Sequence, residues 1–274
     1  MDLGQVRGLA LSSHPAPTVA VTTMTTVLVA VAGNTWQICL LAAVAVLTGQ
    51  LSIGWSNDRI DAARDAQAGR SDKPAASGSL SLRVLTVAMI CAAVLSVPFS
   101  LSLGWRSGLA HLLGVGCGWW YNLGAKSSAW SPVPYLIAFG ALPSVATLAL
   151  PAHPWPPIWA TAAAALIGVG AHFANVLPDL IDDTVTGVRG LPHHWGAHLS
   201  AITSATCVVG ATLIIVVGTG GSAVNWWGMG VAFGLGTLGV ASTWRSPRAE
   251  LAFHATMAVA ALDIALIALS HKLR

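Results

Sequence analysis

Long apolar runs separated by short polar segments dominate the pattern along the chain. Nine of these runs approach the roughly 20 residues that a helix needs to cross about 30 Å of hydrocarbon. They lie at 15–33, 36–55, 80–103, 107–121, 133–150, 157–175, 197–218, 225–244 and 249–270. Proline and glycine, which interrupt helices, punctuate the segments between them. The pattern therefore predicts an all-α membrane protein with nine transmembrane helices, built as a single polytopic domain over residues 1–274.

The composition supports a membrane protein. Hydrophobic residues make up 55% of the 274 residues and charged residues only 8%, with a mean hydropathy of +0.70. A soluble domain carries roughly 25% charged residues, so a chain this poor in charge could not cover its surface in water. The high hydrophobicity excludes intrinsic disorder. The four isolated cysteines are too few for a disulfide-rich scaffold.

The basic residues predict the orientation in the membrane. With nine spans, ten of the 13 Lys and Arg residues fall on the side of the N-terminus and three on the other side. Cytoplasmic loops carry the excess of positive charge. We therefore expect the N-terminus in the cytoplasm and the C-terminus outside, in a bacterial cell membrane. Cations scattered in this way form no basic patch, so the lipid bilayer and not nucleic acid is the expected partner.

The acidic residues are the sharpest chemical signal in the sequence. Seven of the ten, including Asp72 a little beyond the first stretch, fall in two short stretches, each at the cytoplasmic end of an even-numbered predicted helix. Both stretches follow the pattern Asn-x3-Asp-x3-Asp, which would place three side chains on one face of a helix. The two copies are Asn57, Asp61 and Asp65, and Asn175, Asp179 and Asp183. Asp58 can lean onto the first face, and Asp182 is a weaker candidate in the second stretch.

Stacked carboxylates repel each other on a helix, so these stripes need a cation. Ligand sets made only of oxygen select a hard ion, Mg²⁺ or Ca²⁺, and Mg²⁺ is usually held by one or two carboxylates together with substrate phosphates. Two such stripes suggest a clamp that holds a diphosphate through Mg²⁺. The alternative is a pair of solvated helix ends that pair with Arg59, Arg64 and Arg189. Arg70, Lys73 and Lys126 are available for phosphate or serve only membrane topology.

At these residues the chain resembles the UbiA superfamily of intramembrane prenyltransferases. The first stretch, Asn57-Asp58-x2-Asp61-x3-Asp65, matches the family's NDxxDxxxD motif, and Asp179-x3-Asp183 matches its DxxxD motif. The segment from Lys73-Pro74 to Gly78 is similar to its (R/K)Px3G stretch. The family's YxxxK signature appears as Tyr121 to Lys126, one residue longer. The resemblance includes the nine-helix plan and so extends over essentially the whole chain.

The resemblance implies a UbiA-like bundle with both Asp-rich motifs at the cytoplasmic face. It implies Mg²⁺-dependent transfer of an isoprenyl group from its diphosphate to a lipophilic or aromatic acceptor, through an allylic carbocation. The implied metal ligands are Asn57, Asp58, Asp61, Asp65, Asp179 and Asp183. The implied substrate contacts are Arg64, Arg70, Lys73, Trp120, His172 and Asn175. The implied catalytic residues are Lys73, Tyr121 and Lys126.

Two other functions are compatible with parts of the sequence. A membrane terpene cyclase on the same scaffold would use the prenyl diphosphate alone. A transporter would place ionisable residues near the bilayer midplane, whereas these acids lie at helix ends. His193, His194 and His198 are expected to serve a loop or the acceptor. Asp263, alone in the ninth predicted span, is expected to make a structural polar contact.

Overall fold

The computed structural model describes residues 2–185, 187–245, 250–270 and 272–273. These ranges contain eleven α-helices and one 3-10 turn, at Ala125–Ser127. The α-helices are α1 (Leu3–Ser12), α2 (Pro15–Val31), α3 (Trp36–Gln67), α4 (Leu82–Leu101), α5 (Trp105–Leu123), α6 (Val133–Leu148), α7 (Ile158–Val176), α8 (Leu180–Val185), α9 (Leu191–Gly218), α10 (Ala223–Ser242) and α11 (Glu250–Ser270). The prediction of an all-helical protein is confirmed.

Each predicted apolar segment coincides with one long helix, α2 to α7 or α9 to α11. Five helices, α3, α4, α7, α9 and α11, are long and apolar enough to cross a membrane, and the bent pair α1–α2 would make a sixth. Helix α6 is apolar but has only 16 residues. Within the described residues, length and composition therefore support five or six spans. That the chain crosses the membrane nine times stays a prediction.

Several helices expose large apolar side chains along their middle turns. Ile90 and Val94 on α4, and Val231 and Phe233 on α10, are each more than half exposed. Soluble proteins rarely present apolar faces of this extent to water. Lipid is the surrounding that suits them, so the chain is an integral, multi-pass membrane protein.

Helix α3 continues well past the predicted end of its apolar segment at residue 55. The polar stretch up to Gln67 contains no glycine or proline, and the helix ends only before Gly69, which adopts φ +71°. The first Asn-x3-Asp-x3-Asp stretch therefore lies on one uninterrupted helix, as its spacing predicts.

The second Asp-rich stretch does not lie on one helix, so that part of the prediction is wrong. Helix α7 ends at Val176, the chain turns at Leu177 to Asp179, and the short α8 begins at Leu180. Pro178 explains the break, because proline has no N–H to donate to the carbonyl oxygen of the preceding helical turn and its ring crowds that carbonyl.

Helix α1 lies across one end of the bundle, bent by 63° from α2. The Gln5 side chain donates to the Ser79 carbonyl oxygen at 3.2 Å and accepts from the Ser81 N–H at 2.9 Å. The indole N–H of Trp55 on α3 donates to the Leu9 carbonyl oxygen at 2.9 Å. These bonds hold α1 against α3 and against the loop that precedes α4.

The remaining helices close around a central space. Helix α3 packs against α2, α4 and α5, and α7 packs against α6 and α9. Helix α11 contacts α2 and α7, so the last helix meets the first long one and closes the arrangement. The cavities described below lie inside this ring.

Candidate active site

Three aspartates of α3 are buried at the end of the bundle. The exposed fractions are 2% for Asp58, 5% for Asp61 and 7% for Asp65. Removing a carboxylate from water costs several kcal/mol unless a cation or hydrogen-bond donors replace the water. The surroundings of each carboxylate therefore indicate what this end of the molecule is built to hold.

Asp58 has two partners from outside α3. Lys73 Nζ donates to its Oδ1 at 3.0 Å, and His14 Nε2 lies 3.0 Å from the same oxygen. His14 Nε2 also lies 3.3 Å from the side-chain nitrogen of Asn57. Lys73 belongs to the loop that follows α3 and folds back over it, so the implied role of Lys73 at the first motif agrees with its position.

His14 was missed by the sequence analysis, and a glycine of α3 explains its position. His14 sits in the link between α1 and α2 with φ +52°. A Cβ added to Gly54 would lie 2.6 Å from the carbonyl oxygen of Ser13. Only glycine at position 54 lets the link approach closely enough to bring His14 to Asn57 and Asp58. No local motif around residue 14 carries this information.

Asp61 is paired with two cations. Lys126 Nζ binds its Oδ2, and Arg64 Nη2 lies 2.9 Å from the same oxygen. Lys126 also donates to the Asn57 side-chain oxygen at 3.1 Å. Burial lowers the pKa of Lys126, and the neighbouring Asp61 charge opposes that shift. The 3-10 turn after α5 carries Lys126 to the first motif, although its spacing from Tyr121 is one residue longer than the family's signature.

Asp65 differs from its neighbours on α3. Within the described part of the chain, its side chain makes no ion pair. A second carboxylate, that of Asp61, lies one helical turn before it. A buried carboxylate beside another carboxylate is a natural binding position for a divalent cation.

An arginine connects the second Asp-rich stretch to the first one. Arg70 binds Asp72 through Nε at 3.0 Å and Nη2 at 2.9 Å, and this hydrogen bonding lowers the pKa of Asp72. The same Nη2 lies 3.7 Å from Oδ1 of Asp179, whose side chain is 54% exposed. Both motifs therefore lie at the same end of the bundle.

The histidines of the second half divide between two places. His193 Nε2 lies 3.5 Å from Asp183 Oδ2. His198 instead contacts the Thr243 hydroxyl at 2.9 Å, and His194 is exposed. His193 is therefore the one of the three that contacts an Asp-rich motif among the described residues. The side chain of Asp182 lies outside the described part of the structure.

A cavity of about 230 Å³ opens at this end and descends between α2, α3, α5, α6, α7 and α11. Asn57 and Asn175, the first residues of the two motifs, both line it. His14 lines it as well, whereas Phe139 on α6 and Ala260 on α11 lie further along the wall. The cavity therefore has a polar mouth at the motifs and an apolar interior, which suits a ligand with a charged head and an apolar tail.

Aromatic residues form one wall of this cavity. Tyr121 and Tyr135 both line it, with ring centroids 5.2 Å apart. His172 lies behind them, buried, with Nε2 3.0 Å from the Ser131 hydroxyl. Trp120 is exposed and does not reach the cavity. The structure thus brings Asn175, an expected substrate contact, and Tyr121, an expected catalytic residue, to the cavity. It does not bring the expected substrate contacts His172 and Trp120 there.

The donor atoms fit a magnesium ion that a ligand completes. In the described ranges, no three His, Cys, Asp or Glu side chains are grouped closely enough to hold an ion by themselves. Mg²⁺ usually takes one or two carboxylates and fills its other positions with water and phosphate oxygens. Asp61 and Asp65 on one side of the mouth and Asp179 on the other provide carboxylates for that kind of site.

The whole fold is similar to solved structures. A UbiA homologue from Archaeoglobus fulgidus, solved bound to GPP and Mg²⁺, has a TM-score of 0.71 and 14% identity, over 96% of this chain and 99% of that chain. An apo UbiA homologue from Aeropyrum pernix K1 has a TM-score of 0.71 and 19% identity, over 91% and 96%. A structure of digeranylgeranylglyceryl phosphate synthase has a TM-score of 0.64 and 14% identity, over 97% of each chain. At these identities the likeness establishes the fold.

The sequence gives a separate line of evidence. No curated protein matches this chain significantly. The sequence model of the UbiA prenyltransferase family, however, matches residues 16–261, which include both Asp-rich motifs and the cavity-lining helices from α2 to α11. The resemblance first indicated by Asn57, Asp61, Asp179 and Asp183 is therefore confirmed, and the chain belongs to the UbiA prenyltransferase family.

Proposed function

We propose that this chain is a Mg²⁺-dependent intramembrane prenyltransferase. It transfers an isoprenyl group from its diphosphate to a lipophilic or aromatic acceptor. The observation that carries this proposal is the cluster of Lys, Arg and Asp side chains next to His14, Asn57 and Asn175, the polar residues that line one end of an apolar cavity. Family membership supports it, as do the Archaeoglobus fulgidus homologues, solved with GPP or DMAPP and Mg²⁺.

The ion pairs at the mouth suggest how a diphosphate binds. Lys73 is paired with Asp58 and Lys126 with Asp61, so both cations are already held by buried carboxylates. A diphosphate that binds together with Mg²⁺ brings negative oxygens for the lysines and a cation for the aspartates. Lys73 and Lys126 then contact phosphate oxygens, while Asp61 and Asp65 are free to bind the ion. This exchange leaves no buried charge without a partner.

The proposed ligand set covers both motifs. Its members are Asn57, Asp58, Asp61, Asp65, Asp179 and Asp183. Within this set Asp58 has a distinct role, because it already holds Lys73 and His14 at 3.0 Å and so positions them. Arg64 forms an ion pair with Asp61 and Arg70 forms one with Asp179, and these pairs limit the movement of both carboxylates.

The chemistry begins with heterolysis of the allylic C–O bond, in which the leaving diphosphate keeps the electron pair. When bound, Mg²⁺ supplies Lewis-acid stabilisation to that leaving group. Lys73 and Lys126 neutralise the charge that develops on it from fixed positions. The Tyr121 and Tyr135 rings line the cavity, where their π faces favour the allylic cation. Attack by the acceptor forms the new bond, and the acceptor loses a proton.

The experiment is diphosphate release by detergent-purified protein, with and without Mg²⁺, over prenyl diphosphates of increasing length. Lipophilic and aromatic acceptors are added in parallel, and organic products are extracted and identified. We expect Mg²⁺-dependent release with a prenylated acceptor. A cyclised hydrocarbon or alcohol from the donor alone would instead assign the terpene cyclase reaction. No release from any donor with any acceptor contradicts both.

We further propose nine membrane crossings by one polytopic domain over residues 1–274. The N-terminus then lies in the cytoplasm of a bacterial cell and the C-terminus outside. The test labels single cysteines, introduced near each end of the chain, with a reagent that does not cross membranes. Labelling of both ends from the same side of intact cells contradicts an odd number of crossings.

A further inference from the structure

A second cavity, of about 70 Å³, continues the first one deeper into the bundle. Val21, Met24, Phe139, Ile167 and Ala260 line both cavities, so these side chains separate them. On each of α2, α6, α7 and α11, the residues of the second cavity lie further from the Asp-rich end than those of the first. The two cavities therefore follow one another along a single path.

The second cavity contains two polar side chains in an otherwise apolar lining. They are Thr25 on α2 and Asp263 on α11, with exposed fractions of 1% and 0%. Within the described part of the chain, neither the Thr25 hydroxyl nor either Asp263 oxygen has a hydrogen-bond partner. The Thr212 side chain interacts with Asp263, but its hydroxyl donates to the Val208 carbonyl oxygen at 3.1 Å. The expected structural polar contact of Asp263 is therefore with Thr212, and it leaves both Asp263 oxygens without a well-formed hydrogen bond among the described residues.

The buried Thr25 hydroxyl and Asp263 carboxyl group both lower the stability of the folded protein when no ligand is bound. A buried polar group without a partner loses its hydrogen bonds to water and gains nothing in return. Ionisable residues within membrane spans are rare and mark functional positions by default. Two such groups, on facing helices and lining one cavity, point to an occupant that supplies the missing hydrogen bonds.

The chemistry of the pair selects the occupant. A hydroxyl group can donate to an Asp263 oxygen and accept from the Thr25 hydroxyl at the same time. A metal ion would need further ligands, and the described residues around Asp263 provide none of His, Cys or Glu. A charged amine would bring its own desolvation cost into an apolar cavity.

We propose that Thr25 and Asp263 form a subsite for a hydroxyl group at the far end of an otherwise apolar chain. The inference rests on the proposed function only for the near end of that chain, where the diphosphate would lie. A hydrocarbon end that reaches this cavity leaves both polar groups without partners. The subsite therefore selects between chains by the chemistry of their far end.

The test measures binding of saturated alkyl diphosphates, which cannot form an allylic cation, to the detergent-purified protein with Mg²⁺. Chains of increasing length are compared in pairs that end in a methyl or a hydroxyl group. At the length that reaches the second cavity, the hydroxyl-ended chain should bind about tenfold more tightly, the ratio expected for one good buried hydrogen bond. Shorter pairs should not differ.

Variants connect this preference to the two residues. The double variant Asp263→Leu, Thr25→Val should abolish or reverse it, and Asp263→Asn, which still hydrogen bonds, should keep most of it. Thr147→Val is the matched control, because the Thr147 hydroxyl is equally buried and has no hydrogen-bond partner among the described residues, but lines neither cavity. An unchanged preference in the double variant overturns the proposal.

A second arm separates this subsite from the proposed function. It compares 1-alkanols with n-alkanes of the same length, neither of which carries a diphosphate. If no alkyl diphosphate binds but alkanols are preferred over alkanes and Asp263→Leu removes the preference, the subsite stands and the proposed function fails. If alkyl diphosphates bind but both chain ends bind equally at every length, the subsite fails and the proposed function stands. Tighter binding of an amine-ended chain than of the hydroxyl-ended one overturns the hydroxyl assignment.

Discussion

The two ends of the cavity system hold their buried carboxylates in opposite ways. At the mouth, Asp58 and Asp61 are each paired with a lysine, at 3.0 Å for Asp58 and Lys73. At the deep end, Asp263 has no hydrogen-bond partner among the described residues. Asp58 and Asp61 at the mouth therefore have cationic partners before any ligand arrives and can exchange them, whereas Asp65 beside them makes no ion pair among the described residues. The deep end is complete only when a ligand supplies the missing group.

The largest expected effect comes from breaking the balance at the mouth. Asp61→Ala leaves Lys126 and Arg64 without their buried carboxylate. Breaking a buried ion pair on one side costs about 3 kcal/mol or more of stability. Diphosphate release should fall by at least about 10²-fold, because a proposed metal ligand and the carboxylate that holds Lys126 in place are lost together. Release assays and thermal unfolding in detergent check both, and an Asp61→Ala protein with most of its activity contradicts the assignment of this motif.

Lys126→Met tests the opposite charge at the same place. The variant removes the donor to Asn57 and the partner of Asp61, so we expect release to fall by about 10²-fold. Lys126→Arg should recover part of that loss, since it restores the charge. The control is Lys272→Met, at an exposed lysine just after the C-terminal end of α11, and it should leave release unchanged. Equal activity of the Lys126→Met and Lys272→Met proteins would remove Lys126 from the mechanism.

A smaller effect is expected at the link between α1 and α2. Gly54→Ala places a methyl group 2.6 Å from the Ser13 carbonyl oxygen and should displace His14 from Asp58. We expect release to fall about tenfold, and His14→Ala to have the same effect, since each removes one charge-assisted contact. Gly116→Ala is the matched control, because an added Cβ at Gly116 meets nothing within 4 Å. If Gly54→Ala and Gly116→Ala behave alike, His14 has no role in positioning Asp58.

The smallest effect is expected at the deep end. Asp263→Asn should change release from a short, methyl-ended prenyl diphosphate by less than about twofold, because such a donor needs no hydrogen bond there. The measurement is the same release assay at saturating donor. A complete loss of release would mean that the reaction depends on the deep end, and would remove the contrast between the two ends.

Much of the fold could be predicted from the sequence because lipid imposes a simple rule on it. Apolar segments of membrane length, separated by proline and glycine, gave all nine long helices. Two boundaries depended on local chemistry that hydropathy does not report. The polar end of α3 stays helical up to Gln67, and Pro178 breaks the helix that should have carried Asp179 and Asp183 on one face.

The candidate site could be predicted where a motif marks it and not where tertiary contact creates it. Asn57, Asp61 and Lys126 follow from the motifs, and the structure brings them together. His14 reaches the site because the link between α1 and α2 packs closely against Gly54 of α3. The sequence around His14 does not show this contact. Asp263 was visible as the one acid in the interior of its apolar span, since Glu250 lies at the start of that span. Its shared cavity with Thr25 required the packing of α2 against α11.

The unbroken length of α3 has a mechanical consequence. One rigid helix joins the apolar turns that face lipid, such as Leu40 and Leu47, to the carboxylates at Asp61 and Asp65. The opposing motif lies beyond the break at Pro178 and does not share that helix. A bilayer of different thickness changes helix tilt, at a cost of fractions of a kcal/mol per ångström of mismatch. Tilting α3 alone would move one half of the proposed metal site against the other, so the spacing between the two motifs would depend on the membrane as well as on the protein.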